Sequence, residues 1–297
     1  MTLSITAIDP VSRPFFAGEV SGVDITQPLT PEQAAAIDKG MDQYGVLVFH
    51  GQRFDDDAQL RFSRYFGDLE TASGDINFLT SRRLESIHVN DISNLDVNNQ
   101  VLARDNRRRL FNLGNRLWHS DSSFKAVPAK YSLLSARIIP SKGGNTEFAD
   151  MRAAYDDLDA DTKAEIENLV CEHTQIYSRG TLGFTDFTEE DRKRFAPVLQ
   201  RLVRRHPSTG RKSLFLSSHA GAINGWPMPE ARAFLRDLNE HATQRKYVYS
   251  HVWKQWDLVM WDNRATMHRA RPFNGEEVRD MHRTTVACEQ STMAEAA

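Results

Sequence analysis

The period of the apolar positions changes several times along the chain and divides it into elements. Residues 3–7 and 14–25 alternate weakly and read as strands or extended segments. Thr30-Pro31-Glu32 combines an N-cap residue, a proline at the first helical position and an acidic first turn. It predicts a helix over about 31–43, stopped at Gly45. Val46-Leu47-Val48-Phe49 is continuously apolar and reads as a buried strand, and 55–66 as an amphipathic helix carrying Leu60, Phe62 and Phe66. From about 67 to 128 the periodicity fades. Segments this long and irregular within a compact protein are uncommon unless they line or cover a site, so a mobile cover is expected at about 70–112.

Regular pattern returns at 131–139 (strand), Gly143-Gly144 (turn) and 145–149 (strand), followed by two short helices near 150–158 and 160–170. Strands are expected at 171–177 and 200–206. A turn at Pro207-Ser208-Thr209-Gly210 folds 213–217 back as a hairpin. A helix spans 229–243, strands follow at 246–254, 257–261, 266–272 and 278–288, and 289–297 reads as a frayed tail. Many strands, few long helices and no βαβ alternation point to a mainly β fold of the α+β class, an antiparallel barrel or jelly roll with flanking helices. No repeat or linker divides the 297 residues, so a single domain is expected over 1–297.

Composition narrows the partners. A net charge of −3 argues against nucleic acid. Arg107-Arg108-Arg109 and Arg204-Arg205 are local basic spots expected on solvated faces. Two cysteines, Cys171 and Cys288, imply no disulfide framework and suit a reducing compartment. There is no signal-peptide pattern and no apolar run approaching the ~18 residues of a membrane span. A soluble cytoplasmic protein with a small-molecule partner is expected, and a homo-oligomer.

The chemistry centres on Trp118-His119-Ser120-Asp121-Ser122-Ser123-Phe124. In an extended segment His119 and Asp121 share a face, with Cα atoms roughly 6.6 Å apart, so that both reach one ion. With a third ligand they would form the facial arrangement of a non-haem ferrous site. Among ten histidines the best third ligand is His268. Asn274-Gly275 follows it and reads as a hairpin turn that places His268 opposite Met281, with Arg279 and Arg283 on the same face. Two inward guanidinium groups require anions, and the arginine fork suits carboxylates. Thr146 is placed to add a hydroxyl. The plain alternatives are surface or core histidines, arginines paired outside with Glu276, Glu277 or Asp280, and an ordinary strand threonine. Trp118 and Trp261 read as core.

These segments, with Gly143-Gly144-Asn145-Thr146-Glu147-Phe148, Asp150-Met151-Arg152-Ala153-Ala154-Tyr155 and Asp257 to Arg264 followed by His268-Arg269, resemble the taurine dioxygenase family. Within it they look closest to the 2,4-dichlorophenoxyacetate dioxygenases, over about Val20 to Thr285. The resemblance implies a double-stranded β-helix and an Fe(II)- and 2-oxoglutarate-dependent enzyme that consumes O2, with ascorbate as activator in vitro. It implies His119, Asp121 and His268 as iron ligands and Thr146 and Arg279 on the far carboxylate of 2-oxoglutarate. Arg283 would take the substrate's acidic group, with Asn115 and, more weakly, His219 on the substrate side. The expected reaction hydroxylates the carbon next to the ether oxygen of an aryloxyalkanoate, giving a phenol, glyoxylate, succinate and CO2. Segment 70–112 matches only in patches such as Asp91-Ile92-Ser93-Asn94, which leaves the substrate open. The competing readings are the same chemistry on an alkylsulfonate or sulfate ester, a zinc hydrolase on the same ligands, and a non-catalytic binding module.

Overall fold

The computed structural model describes residues 2–295. Strands β1 (Ser4–Ala7) and β2 (Gly18–Ser21) lead to helix α1 (Pro31–Tyr44). Thr30 and Gln33 close a capping box at its start, and Gly45, at φ 66°, ends it in the left-handed conformation that favours glycine. Then come β3 (Val46–Phe49), α2 (Asp56–Arg64), β4 (Asn90–Asp91) and α3 (Arg107–Asn112). Strands β5 (Ala129–Ile138) and β6 (Thr146–Asp150) precede α4 (Met151–Asp156) and α5 (Ala160–Ile166). Next are β7 (Val170–His173), α6 (Gln175–Gly180), α7 (Glu189–Arg194), β8 (Val198–Arg201), β9 (Val203–Arg205), β10 (Lys212–Leu214) and β11 (Ala220–Ile223). Helix α8 (Met228–Ala242) and strands β12 (Val248–His251), β13 (Leu258–Asp262), β14 (Thr266–Ala270) and β15 (Asp280–Ala287) complete the chain. Helix and strand contribute similar shares of a mixed fold. No helix among the described residues is long and apolar enough to cross a membrane.

A seven-stranded sheet runs β1-β2-β3-β13-β5-β15-β4 and faces a three-stranded sheet, β12-β6-β14. Between them lies an apolar layer that includes Val48, Leu134, Phe148, Val259, Trp261 and Met281. A side chain such as Phe148 or Trp261 contributes about 2–3 kcal/mol through burial, so this layer fixes the spacing of the two sheets. Helices α1 and α2 cover the other face of the large sheet, and α8 packs with β11 and β14 in a separate cluster.

Several expectations are corrected. The Asn274-Gly275 hairpin does not form: β14 pairs with β6, whereas β15 pairs with β5 and β4. The segment instead carries the chain from one sheet to the other, with Glu277 N–H closing a turn on the Asn274 carbonyl. Residues 171–177 are strand only to His173, because Thr174 caps α6 through its side chain. Helices α6 and α7 and strand β11 were not foreseen. The tail is not frayed as far as Glu295: Thr292 is fully buried, with its hydroxyl 2.6 Å from Gln200 Oε1, and Glu295 pairs with Arg204. Residues 296–297 of the expected tail lie outside the described residues. Arg108 and Arg204 are not on solvated faces. Both are buried, Arg108 against Asp91 and Asp75 and Arg204 against Glu295, because carboxylates meet them inside.

Segment 70–112 is irregular as expected, yet part of it is tightly held. Strand β4 adds an edge to β15, aligning Asp91 with His282 and Asn90 with Arg283. Arg83 bridges Asp91 and Asp280 at 2.8 and 2.5 Å. The network reaches His282, whose ring lies 2.5 Å from Asp56 and 3.3 Å from Asp280. Burial alone would lower the His282 pKa, but Asp280 and Asp56 outweigh it and raise it above 6.5. A raised folded-state value adds stability that is fully present below 6.5 and disappears as pH climbs through the raised value. His282→Gln should therefore cost most stability below about pH 6.5 and progressively less as the pH is raised above it, read from urea midpoints of both proteins. A cost independent of pH would remove the imidazolium from this account.

Candidate active site

A short helical turn over 113–116 ends at Leu117, whose backbone is extended. Side chains then alternate. His119 and Asp121 face inward together, while Ser120 turns away to the carbonyls of Thr266 (3.1 Å) and Leu216 (3.3 Å). Ser122, at φ 54°, breaks the run. His119 and His268 exchange backbone hydrogen bonds of 3.0 and 2.8 Å, so this segment lies along β14. Two candidate ligands distant in sequence are thereby fixed side by side.

One ligand atom from each of His119, Asp121 and His268 lies within 4.8 Å of the others, and all three residues are buried. His119 Nε2 is 3.9 Å from Asp121 Oδ1, and His268 Nε2 is 3.7 Å from Asp121 Oδ2. His119 Nδ1 meets the Leu117 carbonyl at 2.7 Å. That contact assigns the proton to Nδ1 and leaves the Nε2 lone pair for a ligand. Burial pushes His119 down to about 4, with Asp121 opposing it. Burial and the neighbouring His119 hold His268 well below the usual histidine range. Burial would raise Asp121, but Arg283, His268 and His119 overcome it and hold the carboxyl at about 2. Two neutral imidazoles and one carboxylate are the donor set of a divalent transition metal.

Asp121 is held from several directions. Ser132 Oγ donates to Oδ2 at 2.8 Å and Arg283 Nη1 to Oδ1 at 2.5 Å. Its backbone N–H reaches Asn263 Oδ1 at 3.0 Å, an oxygen that also accepts from Trp261 Nε1 at 3.1 Å. Trp261 and Phe148 flank the His268 ring at centroid distances of 4.7 and 6.1 Å. The inter-sheet apolar layer is thus the wall of the site.

The cavity has two sides. Thr146, Arg279, Leu134 and Ile92 line one with His119 and His268. Thr146 Oγ1 accepts from Trp253 Nε1 at 3.0 Å, which leaves its hydroxyl hydrogen for an acceptor in the cavity. Arg279 is buried, and its guanidinium touches only the Ile92 carbonyl at 3.3 Å. Burial lowers its pKa to about 10, and no carboxylate lies within salt-bridge distance among the described residues. The other side carries Asn115, Arg179, His219, Phe124 and Arg283, with His119 and Asp121 at its edge. His219 is fully buried, with Nδ1 2.8 Å from Ser178 Oγ and its ring 5.1 Å from Phe124.

Comparison with known proteins follows from this geometry. Residues 7–285 match the family model described as "Taurine catabolism dioxygenase TauD, TfdA family". The chain belongs to this family. It is 45% identical over 273 residues to the alpha-ketoglutarate-dependent 2,4-dichlorophenoxyacetate dioxygenase of Burkholderia sp. (strain RASC), covering 92% of each chain. It is 37% identical to an (S)-phenoxypropionate/alpha-ketoglutarate-dioxygenase of Sphingobium herbicidovorans, covering 82% of this chain and 83% of that one. Among solved structures it resembles AAD-2 in complex with Mn(II) and N-oxalylglycine, with a TM-score of 0.94, 56% identity, and coverage of 98% of this chain and 100% of that one.

The structure places all eight residues singled out in the sequence around two adjoining cavities that share His119, Asn115 and Arg283. His119, Asp121 and His268 form their centre. Thr146 and Arg279 lie on one side and His219 on the other, with Asn115 and Arg283 reaching both. Trp118 and Trp261 are buried as expected. Arg179 and Gln175 were missed. Both come from α6, whose six residues carry no periodic signal, and nothing local distinguishes a buried arginine from a surface one. Adding Mn(II) at about 100 times its Kd should stabilise this family member by roughly 2.7 kcal/mol. That rise in Tm should vanish in Asp121→Ala, and a variant that keeps it would place the ion elsewhere.

Proposed function

We propose that this protein is an Fe(II)- and 2-oxoglutarate-dependent dioxygenase that cleaves aryloxyalkanoic acids. The observation that carries the reading is Arg279, a buried guanidinium with no anion among the described residues, sharing one cavity with His119 and His268 of the buried His-Asp-His cluster. A buried unpaired charge is costly. A small dicarboxylate that reaches both the ion and Arg279 removes that cost. The relatives support the choice of substrate, since two of them are named for 2,4-dichlorophenoxyacetate and (S)-phenoxypropionate. N-oxalylglycine, present with Mn(II) in the AAD-2 structure, carries the same two terminal carboxylates as 2-oxoglutarate. The two facing sheets are read as a double-stranded β-helix, and 1–297 as one catalytic domain in which 70–112 covers the substrate side. The chain is further read as a cytoplasmic homo-oligomer.

His119, Asp121 and His268 would hold the iron. Thr146 and Arg279 would receive the far carboxylate of 2-oxoglutarate, the hydroxyl and the guanidinium donating together. Arg283, Asn115 and His219 would face the substrate on the other side of the cluster. The iron and its co-substrate supply oxygen activation, with 2-oxoglutarate leaving as succinate and CO2. The protein's share is orientation and exclusion of water. Arg283 holds Asp121 in place while its guanidinium also borders the substrate side, which keeps the carbon next to the ether oxygen near the metal. Hydroxylation there gives a hemiacetal, which releases a phenol and glyoxylate.

The decisive measurement is 2-oxoglutarate-dependent O2 uptake with Fe(II) and ascorbate against aryloxyacetates, aryloxypropionates and alkylsulfonates. One phenol per succinate is expected from the aryloxy acids. Sulfite from the sulfonates alone would move the substrate to the taurine-like class, and turnover without O2 or 2-oxoglutarate would indicate a hydrolase. Arg279→Ala should raise the KM for 2-oxoglutarate about a hundredfold, from the loss of a buried charge-assisted pair. The KM for the aryloxy acid should change far less. Equal losses in both would defeat the two-sided division.

A further inference from the structure

We propose that Arg179 is a specificity-determining residue that receives the substrate's carboxylate together with Arg283, on the side of the metal cluster away from Arg279. The proposal rests on the reading that the side lined by Asn115 and His219 takes the aryloxy acid.

Arg179 is buried, with 4% of its surface exposed, and it lines the same cavity side as Asp121, Arg283 and His219. Among the described residues no carboxylate lies within salt-bridge distance of it. Its guanidinium donates only to neutral oxygens, Ser178 Oγ at 3.1 Å and Asn115 Oδ1 at 3.3 Å. Its Nε is buried without a partner. A cation in this situation calls for an anion, and its planar fork offers two parallel donors.

The seat for this guanidinium is built into the chain. A Cβ placed on Gly114 would lie 2.5 Å from both Cζ and Nε of Arg179, so the guanidinium can keep this seat only while the backbone beside it carries no side chain. On another side the guanidinium lies 4.5 Å from the centroid of Phe111, a stacking arrangement that orients the group as well as attracting it. Gln175, one turn earlier on α6, borders the same space, and its Oε1 is also buried without a partner. The side chain of Asn115, which the family resemblance puts on the substrate side, steadies Arg179 together with Ser178 Oγ.

Arg283 alone leaves this role incomplete. Its Nη1 is committed to Asp121 at 2.5 Å, and its Nε is buried without a partner. A carboxylate between Arg283 and Arg179 would use the remaining donors of both groups. Phe111 and Phe124, bordering the same space, suit the aryl ring of such an acid. The substrate class is therefore an aryl-bearing monocarboxylate, with the acid read by two arginines and the neutral analogue rejected because it leaves them unpaired.

The test is calorimetric binding of 2,4-dichlorophenoxyacetate and of its carboxamide to the Mn(II)–N-oxalylglycine form, where no turnover intervenes. The wild type should prefer the acid by roughly a hundredfold or more, since a site built for a charged partner discriminates strongly against a neutral isostere. In Arg179→Gln the preference should fall to about tenfold or less, while N-oxalylglycine affinity changes by less than about threefold. Gly114→Ala, which displaces the guanidinium without altering any polar group, should give the same pattern, and Arg179→Lys should recover part of the preference. If Arg179→Gln is too unstable to purify, these two variants carry the test. An unchanged acid-to-amide ratio, or an equal loss of N-oxalylglycine binding, overturns the assignment. A wild type that binds neither compound overturns the substrate reading, and the assignment with it.

Discussion

The site depends on an imbalance of buried charge. Three guanidinium groups largely withdrawn from solvent, Arg179, Arg279 and Arg283, border the site, and among the described residues Asp121 is the one carboxylate within salt-bridge distance of any of them. A divalent ion on the His-Asp-His cluster would add to the excess. Such an arrangement is stable only if the scaffold resists expelling the charges and if anions arrive to compensate them. Pairing one arginine with the metal-facing carboxylate and leaving the other two unpaired on opposite sides prepares two separate anion positions around one ion. On the proposed function, the cluster would determine where oxygen chemistry takes place, and the arginines which acids come near it.

The scaffold resists by over-determining Asp121. Ser132 on β5, Asn263 beyond β13 and Arg283 on β15 reach it from consecutive parts of the large sheet. His119 is bound to β14 of the small sheet. Asp121 therefore spans the gap between sheets, at the edge of the apolar layer formed by Phe148, Trp261 and Met281. Side chains in such a layer occupy defined rotamers at near-crystalline density, so the distance between the carboxylate and His268 is set by packing. Changing the volume at Trp261 or Phe148 would shift the His268 ring, on which Phe148 stacks and against which Trp261 packs at a tilt.

Local features were legible in the sequence, and features that depend on tertiary neighbours were not. His119 and Asp121 share a face because their segment is extended, which holds whatever surrounds it. The capping box at Thr30 and the glycine at 45 are readable for the same reason. The buried state of Arg108 and Arg204 was not, because their carboxylate partners, Asp91 and Glu295, lie far away in sequence. Helix α6 was hidden by its length of six residues. Arg179, its most consequential side chain, gains its meaning only from a glycine and a phenylalanine on another segment.

The expected hairpin at Asn274-Gly275 is the instructive error, because it failed while the placement of Arg279 and Arg283 did not. Strand pairing and side-chain face are separate pieces of information. The face of Arg283 needs only the alternation along one strand, since Met281, two residues before it, is fully buried in the inter-sheet layer. Arg279 precedes β15 and a register shift at Asp280/Met281, and its place in the cavity comes from the folded chain. The pairing partner depends on topology, and here the chain leaves the small sheet after Ala270 and enters the large one at Asp280. His268 and the two arginines accordingly meet across the space between the sheets and are not neighbours on one wall. That difference matters for function. Residues on one wall would crowd a single acid against a bound metal, whereas residues from two facing sheets would leave room for one acid on each side, as the proposed function requires.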